Sequence, residues 1–452
     1  MSVVATRPDL GDPVAWRFPT FDTTVVGPGL VVHHLDLPGR ELVSVDLLVD
    51  APTTADPSGR EGTALITART LDEGSSSRDG DAFAAALDSQ GASIGASAGL
   101  SGLRLTMDVP RANLAAAFEL LAEAVADPVF PANEVERVVR QRLDSIRQAF
   151  ARPEERANLA LREALIDPSH RSHLPGGGTA DTVGTVDRDA TAAFHAEHVL
   201  TGPVRVVVAG DLTGVDLAAV AARHLARWVD IDRPATPPAE LALRTGPRVV
   251  VVDRPGSVQT QLVLARSGPD RHATDWAAAR VASFVLGGTL TSRLDAVLRE
   301  EKGYTYGIRS RLTTYLRGGI ARLAVGSVDT ENTVESVEIA LGIMRGLADG
   351  GATADERDAA VDYLAGVRPL TLETPHALVS EVARNLDDGL PSDHTDAELA
   401  RLRSVTTDEV SAAAAAHLAP DGMTLVAVGD ASVIADGIGE LGHADVEVVT
   451  DA

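Results

Sequence analysis

An internal repeat constrains the fold of this chain more than any other sequence feature. Residues 185–211, TVDRDATAAFHAEHVLTGPVRVVVAGD, align without a gap with residues 404–430, SVTTDEVSAAAAAHLAPDGMTLVAVGD. Each copy predicts a polar helix start, an alanine-rich helix, a short loop and a β-branched strand that ends in Gly-Asp. The offset of 219 positions, measured between Asp211 and Asp430, is close to half of the 452 residues. The chain is therefore predicted to contain two halves of like fold.

The remaining pattern of each half follows one common order: two strands paired as a hairpin, two helices, a second strand pair and three long helices. In the first half these elements are predicted at 29–34, 42–50, 62–73, 82–90, 92–98, 101–109, 111–126, 133–151 and 155–166. In the second half they are predicted at 248–252, 260–265, 273–286, 292–301, 306–314, 318–325, 333–348, 354–367 and 375–387. This order indicates an α+β fold in which each half has an antiparallel or mixed sheet with helices packed on one side.

A proline-rich segment separates the two halves. Residues 230–248, DIDRPATPPAELALRTGPR, contain four prolines. Because proline fixes φ and lacks a backbone donor, this segment is predicted to be an extended linker. The predicted division is a first domain at 1–229, a linker at 230–248 and a second domain at 249–452.

The amino-acid composition excludes several classes of function. The 65 acidic residues exceed the 40 lysines and arginines and give a net charge of −25, which disfavours nucleic acid and anionic membranes and favours neutral or basic partners. The absence of cysteine excludes thiol chemistry and cysteine-bound zinc. The sequence contains no apolar run of about 18 residues, so no membrane span is predicted. Residues 1–19 lack the apolar core of a signal peptide. The expected location is the cytoplasm.

Three segments carry a resemblance to a known family. They are residues 59–99, residues 127–138 (DPVFPANEVERV) and residues 285–308 (VLGGTLTSRLDAVLREEKGYTYGI). In this order the chain resembles the insulinase-like (M16) metallopeptidases, of the M16B type, from about residue 24 to residue 442. The resemblance implies a clam-shell architecture of two homologous α+β halves joined by an extended linker.

The resemblance also locates the family's zinc site, which consists of an inverted H-x-x-E-H motif and a later glutamate. The matching positions in this sequence are Leu65, Ala68, Arg69 and Ser145. Leucine and alanine offer no zinc ligand, and an arginine would repel a dication. The chain is therefore expected to hold no metal or other cofactor and to hydrolyse no peptide by itself.

A second family motif is intact. The pattern R-E-x-x-G-x-x-Y runs from Arg299 to Tyr306, at the predicted end of a helix and start of a strand, with Gly303 in the turn. The resemblance implies that this arginine and tyrosine bind peptide beside a zinc site on another chain, by donating hydrogen bonds to peptide carbonyls. It implies a noncatalytic subunit of a heterodimeric peptidase, whose partner subunit carries H-x-x-E-H and the zinc.

Other interpretations stay open. The chain could be an inactive peptide-binding or scaffold protein that forms a homodimer without a peptidase partner. Arg299 and Tyr306 could be ordinary structural residues, and the glycine-rich loop 175–178 could contact substrate. A weaker alternative is a relocated metal site, with candidate ligands at His170, His173, His195 and His198. Two overlapping G-x-S-x-G strings contain Ser93 and Ser97, but their alternating context predicts a strand and not the strand-to-helix turn of a nucleophile.

Overall fold

The computed structural model describes residues 16–238 and 240–451, and each half of this part of the chain contains one six-stranded mixed sheet. The strand order in the first sheet is β1-β2-β6-β3-β5-β4. Its strands are β1 (Asp22–Gly27), β2 (Leu30–Asp36), β3 (Leu42–Val49), β4 (Ser93–Gly99), β5 (Gly102–Pro110) and β6 (Val204–Gly210).

The second sheet has the order β12-β7-β11-β8-β10-β9 and repeats the arrangement of the first. Its strands are β7 (Arg248–Asp253), β8 (Gln259–Gly268), β9 (Arg309–Thr314), β10 (Gly319–Asp329), β11 (Thr424–Gly429) and β12 (Val446–Thr450). The repeated order confirms the predicted α+β class with two like halves.

The predicted hairpin between the first two strands of each half is wrong, because a late strand lies between them. Strand β6 pairs in parallel with β2 and antiparallel with β3, and β11 does the same between β7 and β8. Apart from Arg205 in β6 and Thr424 in β11, both inserted strands are apolar, and they are almost wholly buried. Such strands belong at the centre of a sheet, where both faces are covered.

Seventeen α-helices are present in the described residues, and most of them cover one face of the sheet in their own half. The first half contains α1 (Thr63–Ala68), α2 (Gly80–Gln90), α3 (Leu114–Ala126), α4 (Ala132–Ala151), α5 (Pro153–Leu165), α6 (Ala180–Val183), α7 (Arg188–Phe194), α8 (Leu217–His224) and α9 (Ala226–Val229). The second half contains α10 (Trp276–Gly287), α11 (Arg293–Asp295), α12 (Thr333–Gly350), α13 (Ala354–Thr371), α14 (Pro375–Asp387), α15 (His394–Ser404), α16 (Thr407–His417) and α17 (Ala431–Glu440).

Two helices cross to the opposite half. The apolar side of α5, including Ala157 and Leu161, packs on the second sheet against Val250 and Val252. The apolar side of α14 packs on the first sheet in the same way, and Leu378 lies in that cluster. Each sheet is therefore covered on one face by its own helices and on the other by a helix from the other half. This exchange interlocks the two halves through buried apolar surface.

Several element boundaries differ from prediction, and two of them lie at the candidate site. The helix predicted at 62–73 ends at Ala68, and the strand predicted at 306–314 begins only at Arg309. The predicted linker lies against the first half, because Asp50 accepts a hydrogen bond from the Thr236 amide at 2.7 Å. Strands β1 and β12 and helix α15 were not predicted. Within residues 16–238 and 240–451, no helix combines the length and apolar composition needed to cross a membrane.

Candidate functional site

Helix α1 carries two of the four positions that match the family's zinc site, Leu65 and Ala68, and Arg69 directly follows its last residue. Its start is fixed by Asp56, whose carboxylate accepts hydrogen bonds from the Gly62 amide at 2.9 Å and the Ala64 amide at 2.7 Å. The same carboxylate pairs with Arg171 at 2.9 Å. Because Asp56 has a fully buried side chain, burial raises its pKa, and the ion pair and the helix amides oppose that effect. This carboxylate therefore connects α1 to the loop that follows α5.

The four zinc-site positions hold no strong metal ligand. Leu65 is half-buried, Ala68 is fully buried and Arg69 is exposed. Ser145 lies exposed on α4, which packs against α1, and its hydroxyl donates to the Gln141 carbonyl at 2.8 Å. Zn²⁺ in proteins is held by imidazole, thiolate or carboxylate groups. These residues do not fit a zinc ion.

A glycine-rich loop and an arginine fill the region instead. Arg142 of α4 donates from Nε to the Gly177 carbonyl at 2.8 Å. Gly177 lies so close to Leu65 that an added Cβ would be 2.6 Å from the leucine Cδ2. Gly178 has φ +73°, and a Cβ there would be 1.9 Å from the Glu61 carbonyl oxygen. The loop 175–178 thus packs over the helix that carries the zinc motif in the family.

The electrostatics of this region oppose a divalent cation. Burial lowers the pKa of Arg142, and the nearby positive charge of Arg69 lowers it further. An arginine stays charged even so, since its pKa lies far above neutrality. Two guanidinium groups therefore lie near the positions that match the family's metal site. Over the residues that the structure describes, no group of three or more histidines and carboxylates is placed to hold a metal ion.

The four histidines considered as a relocated metal site each have a local contact. His195 is 5% exposed, and its Nε2 lies 2.8 Å from the Val125 carbonyl oxygen. His198 packs on a phenylalanine ring of the preceding turn. The rings of His170 and His173 hydrogen-bond to the backbone of their own segment. The structure brings no set of them together.

The two G-x-S-x-G strings lie where the alternating pattern predicts. Ser93 and Ser97 are on the exposed face of β4, the edge strand of the first sheet. Strand β4 continues through a tight turn into β5 and not into a helix. The strained turn that exposes a hydrolase serine is absent from these two strings.

Arg299 lies in a π-helical segment, Ala296–Glu301, that follows α11. Its guanidinium is about one-third exposed and lies 3.1 Å from the carboxylate of the adjacent Glu300. Single π-helical turns occur frequently at functional sites because they change the direction in which side chains project. Arg299 is thus accessible and held by an exposed, weak ion pair.

Tyr306 projects into solvent from an anchored loop. Its exposed fraction is 93%. On one side the Thr305 hydroxyl donates to the Ser327 carbonyl at 2.6 Å, and on the other the Ile308 amide donates to the buried Asp295 carboxylate at 2.8 Å. Tyr306 was predicted at a strand start, but it precedes β9 and belongs to this loop. Among the described residues, no hydrogen bond joins Tyr306 to Arg299.

Sequence reasoning missed a cleft beside the zinc-site positions. It lies between α4, α5, the loop 173–181 and the second sheet, and forms two adjoining cavities of about 400 and 260 Å³. Arg142, Arg162 and Arg322 line it together with the exposed side chains of Glu155, Glu163 and Asp181, and we call it the arginine cleft. Arg142 could have been found from spacing, since it lies three residues before Ser145 on the same helix face.

The fold and the site together define a class: a two-half α+β protein of the metallopeptidase type whose metal position carries no metal ligands. Residues 31–172 match the family model described as Insulinase (Peptidase family M16), and residues 185–364 match the one described as Peptidase M16 inactive domain. The chain belongs to the insulinase (M16) family.

Relatives of this chain carry differing names. It is 26% identical to an uncharacterized zinc protease of Mycobacterium tuberculosis, covering 89% of this chain and 91% of that one. It is 23% identical to a non-peptidase homolog of Helicobacter pylori, covering 81% and 84%. The solved peptidase M16 inactive domain from Pseudomonas fluorescens has a TM-score of 0.82 and 26% identity, covering 91% of this chain and 98% of that chain.

Proposed function

We propose that this chain is the noncatalytic subunit of an M16-type zinc peptidase, in which Arg299 and Tyr306 bind the peptide for a partner subunit that supplies H-x-x-E-H and the zinc. The observation that carries the proposal is the contrast between the two halves. The first half has Leu65 and Arg69 at metal positions, whereas the second half keeps Arg299 accessible and Tyr306 exposed.

The exposure of Tyr306 supports a binding role. A tyrosine ring has a large apolar surface, and leaving it in water sacrifices the burial that normally stabilises a fold. A flexible loop could hide the ring against the surface, but the bonds of Thr305 and Ile308 hold the loop on both sides. Exposed tyrosines and arginines contribute disproportionately to binding energy at interfaces. Tyr306 has the features of such a contact residue.

The proposed chemistry divides labour between subunits. The partner's zinc would activate the water, and its own motif glutamate would serve as base. Arg299 would donate hydrogen bonds to a peptide carbonyl near the scissile bond and offset developing negative charge there. The Tyr306 phenol would add one donor and orient the peptide. No proton transfer is assigned to this chain.

The test is activity of the assembled complex. The chain is co-expressed and co-purified with an M16 subunit that carries H-x-x-E-H, sought first among the neighbouring genes, and kcat/KM for a peptide is compared between wild type, Arg299→Ala and Tyr306→Phe. Loss of one charge-assisted hydrogen bond predicts that Arg299→Ala lowers kcat/KM at least about tenfold. Matched controls are Arg147→Ala and Tyr363→Phe, since both side chains are more than half exposed and lie on other helices. Unchanged kcat/KM in the double variant Arg299→Ala, Tyr306→Phe would refute the role.

A second candidate is an inactive peptide-binding homodimer without a peptidase partner. This alternative is favoured by the name of the H. pylori relative, non-peptidase homolog. Light scattering of the chain with and without the H-x-x-E-H subunit separates the two proposals. A homodimer that persists in the presence of that subunit supports this second candidate, whereas a one-to-one complex supports the first.

A further inference from the structure

Asp295 is a charged residue in a stretch of helix that otherwise belongs to the core. It ends α11 and directly precedes the π-helical segment that carries Arg299. Leu294 and Leu298 of the same stretch are fully buried, and so is Asp295 itself. Burying a carboxylate costs free energy unless other groups compensate for the lost contact with water. The partners of this carboxylate therefore indicate what the residue holds in place.

Both partners of Asp295 lie beyond the Gly303 turn, in the loop and the strand that follow Tyr306. One carboxylate oxygen accepts a hydrogen bond from the Ile308 amide at 2.8 Å, and the other accepts from the Arg309 guanidinium. Within the described structure the carboxylate makes no capping bond to the π-helical segment that it precedes. The charge therefore serves a contact 13 positions away in sequence and not its own helix.

This contact closes a loop that contains both motif residues. Arg299 lies four positions after Asp295, and Tyr306 lies two positions before Ile308. Because no hydrogen bond joins Arg299 to Tyr306 among the described residues, their relative placement depends on the contacts that close the loop. Closing a flexible segment removes many of the conformations that it could otherwise adopt. Asp295 is thus placed to fix the two side chains relative to each other.

The bonds on the two sides of Tyr306 differ in kind. Before it, the loop is held by a neutral bond from the Thr305 hydroxyl to the Ser327 carbonyl at 2.6 Å and by exposed bonds to a glutamate of α12. After it, Asp295 accepts a charge-assisted bond inside the core, where water does not compete. Loss of the Asp295 charge should therefore displace the chain after Tyr306 more than loss of an exposed bond would.

A stable fold does not need a charge at this place. Replacing a buried ion pair by packed apolar side chains of similar volume is often neutral or stabilising. An ion pair adds direction, because the carboxylate and the guanidinium fix the geometry of their partners. The side chain of Arg309 packs over Gly307, where an added Cβ would be 3.0 Å from Nη2. The pair therefore bears on the residue that directly follows Tyr306.

We propose that Asp295 is a positioning residue, whose bonds to Ile308 and Arg309 hold Tyr306 and Arg299 in the geometry in which they bind peptide. The inference deepens the proposed function and rests on it. Because Asp295 is fully buried, it contacts no substrate itself, and its effect on catalysis passes through the two motif side chains. A misplacement of about 1 Å in a group that orients substrate can lower a rate on the order of 100-fold.

The first measurement needs no partner subunit. Hydrogen exchange of the full-length chain is followed by mass spectrometry in wild type, Asp295→Asn and Asp50→Asn. Asp50 is the matched control, because its buried carboxylate likewise accepts a backbone amide, from Thr236 at 2.7 Å, and pairs with an arginine. Residues 302–309 are expected to exchange at least about tenfold faster in Asp295→Asn and at the wild-type rate in Asp50→Asn. Unchanged exchange in Asp295→Asn would overturn the inference.

The second measurement is kcat/KM of the complex with the H-x-x-E-H subunit. Asp295→Asn is expected to lower kcat/KM at least about tenfold in the otherwise wild-type chain. In a chain that already carries Arg299→Ala and Tyr306→Ala, the further loss should be less than about threefold, because the groups that Asp295 positions are gone. A loss by the same factor in both backgrounds would indicate a general structural role and would overturn the inference.

Arg309 provides a second pair of variants that leave Asp295 in place, for the case that Asp295→Asn does not fold. Its side chain is 41% exposed and can be exchanged without opening the core. Arg309→Lys keeps the ion pair and should stay within about threefold of wild type, whereas Arg309→Met removes the pair and should lower kcat/KM about tenfold. Equal kcat/KM for these two variants would overturn the inference. No effect of Arg299→Ala with Tyr306→Phe would instead refute the proposed function, whatever Asp295→Asn does to hydrogen exchange.

Discussion

Glu398 offers the sharpest test of the packing between helices of the second half. It lies on α15 with a side chain only 9% exposed, and its carboxylate accepts hydrogen bonds from Arg280 and from the Trp276 indole of α10, both at 2.8 Å. Burial works against its ionisation, but Arg280, the indole donor and more distant arginines outweigh burial and hold the pKa of Glu398 at about 2, compared with its usual 4.5. The ionised form therefore stabilises the folded state.

The sign and size of the effect of Glu398 on the free energy of unfolding follow from the linkage between proton binding and folding. A group whose folded pKa is depressed adds stability that is complete above its unfolded pKa and is lost as pH falls through the folded pKa. A depression of roughly 2.5 pH units corresponds to about 3 kcal/mol at pH 7. The same relation leaves about 1 kcal/mol at pH 3. Glu398→Gln should therefore lower the free energy of unfolding by about 3 kcal/mol at pH 7 and by less than half of that at pH 3.

Urea unfolding of wild type and Glu398→Gln, followed by circular dichroism from pH 7 to pH 3, measures this difference. Glu136→Gln is the control, because its side chain is 71% exposed and its ion pair at 3.7 Å is expected to contribute little. A loss that stays the same from pH 7 to pH 3 would show that the substitution acts through packing and not through the charge. The argument from ionisation would then be refuted.

Two further substitutions test the loop and the helix exchange. Gly178→Ala should destabilise the chain by more than about 2 kcal/mol, because the residue has φ +73° and its Cβ would overlap the Glu61 carbonyl. Gly346→Ala in α12 is the control, because the added Cβ meets open space and the substitution should be neutral or stabilising. Thermal unfolding of the two variants compares their stabilities. Leu378→Ala should cost about 2–5 kcal/mol, because this 3%-exposed side chain of α14 packs on the first sheet; an equal effect from Leu370→Ala, which is 71% exposed, would contradict the exchange.

The sequence contained enough to predict the two halves and most elements, because apolar periodicity reports which side of a helix or strand is buried. It does not report against what that side is buried. The stripe of Ala157 and Leu161 predicts a helix with one apolar face, and nothing local indicates that the face covers the sheet of the other half. The position of β6 between β2 and β3 was equally hidden, since pairing partners are set by the whole sheet.

The candidate site also has some features that the sequence could predict and others that only the structure revealed. Replacement of the zinc ligands could be read position by position from the resemblance, and so could the Arg299 and Tyr306 motif. The arginine cleft could not, because Arg142 and Arg322 come from different halves and meet only through the exchanged helix α5. The exposure of Tyr306 also required the structure, since the alternating pattern extended the strand three residues too far.

Around the position that matches the family's zinc site, this chain does more than lack metal ligands, because the guanidinium groups of Arg69 and Arg142 lie near each other there. Restoring the donors by Leu65→His, Ala68→Glu, Arg69→His and Ser145→Glu would place a carboxylate at fully buried position 68 and would leave Arg142 one helical turn from residue 145. A unit cation about 6 Å from Zn²⁺ repels it by about 1.4 kcal/mol even at the dielectric constant of water, and by more in a partly buried site.

The fourfold variant is therefore expected to bind zinc weakly, and adding Arg142→Gln should raise the affinity at least about tenfold in a chelator-competition titration. Adding Arg140→Gln should not, because that exposed guanidinium is screened by water and by Glu136. If the fourfold variant binds zinc as tightly with Arg142 as without it, then the arginine does not oppose the metal. The loss of metal binding would then rest on the missing donors alone, and the guanidinium groups around this position would need another explanation.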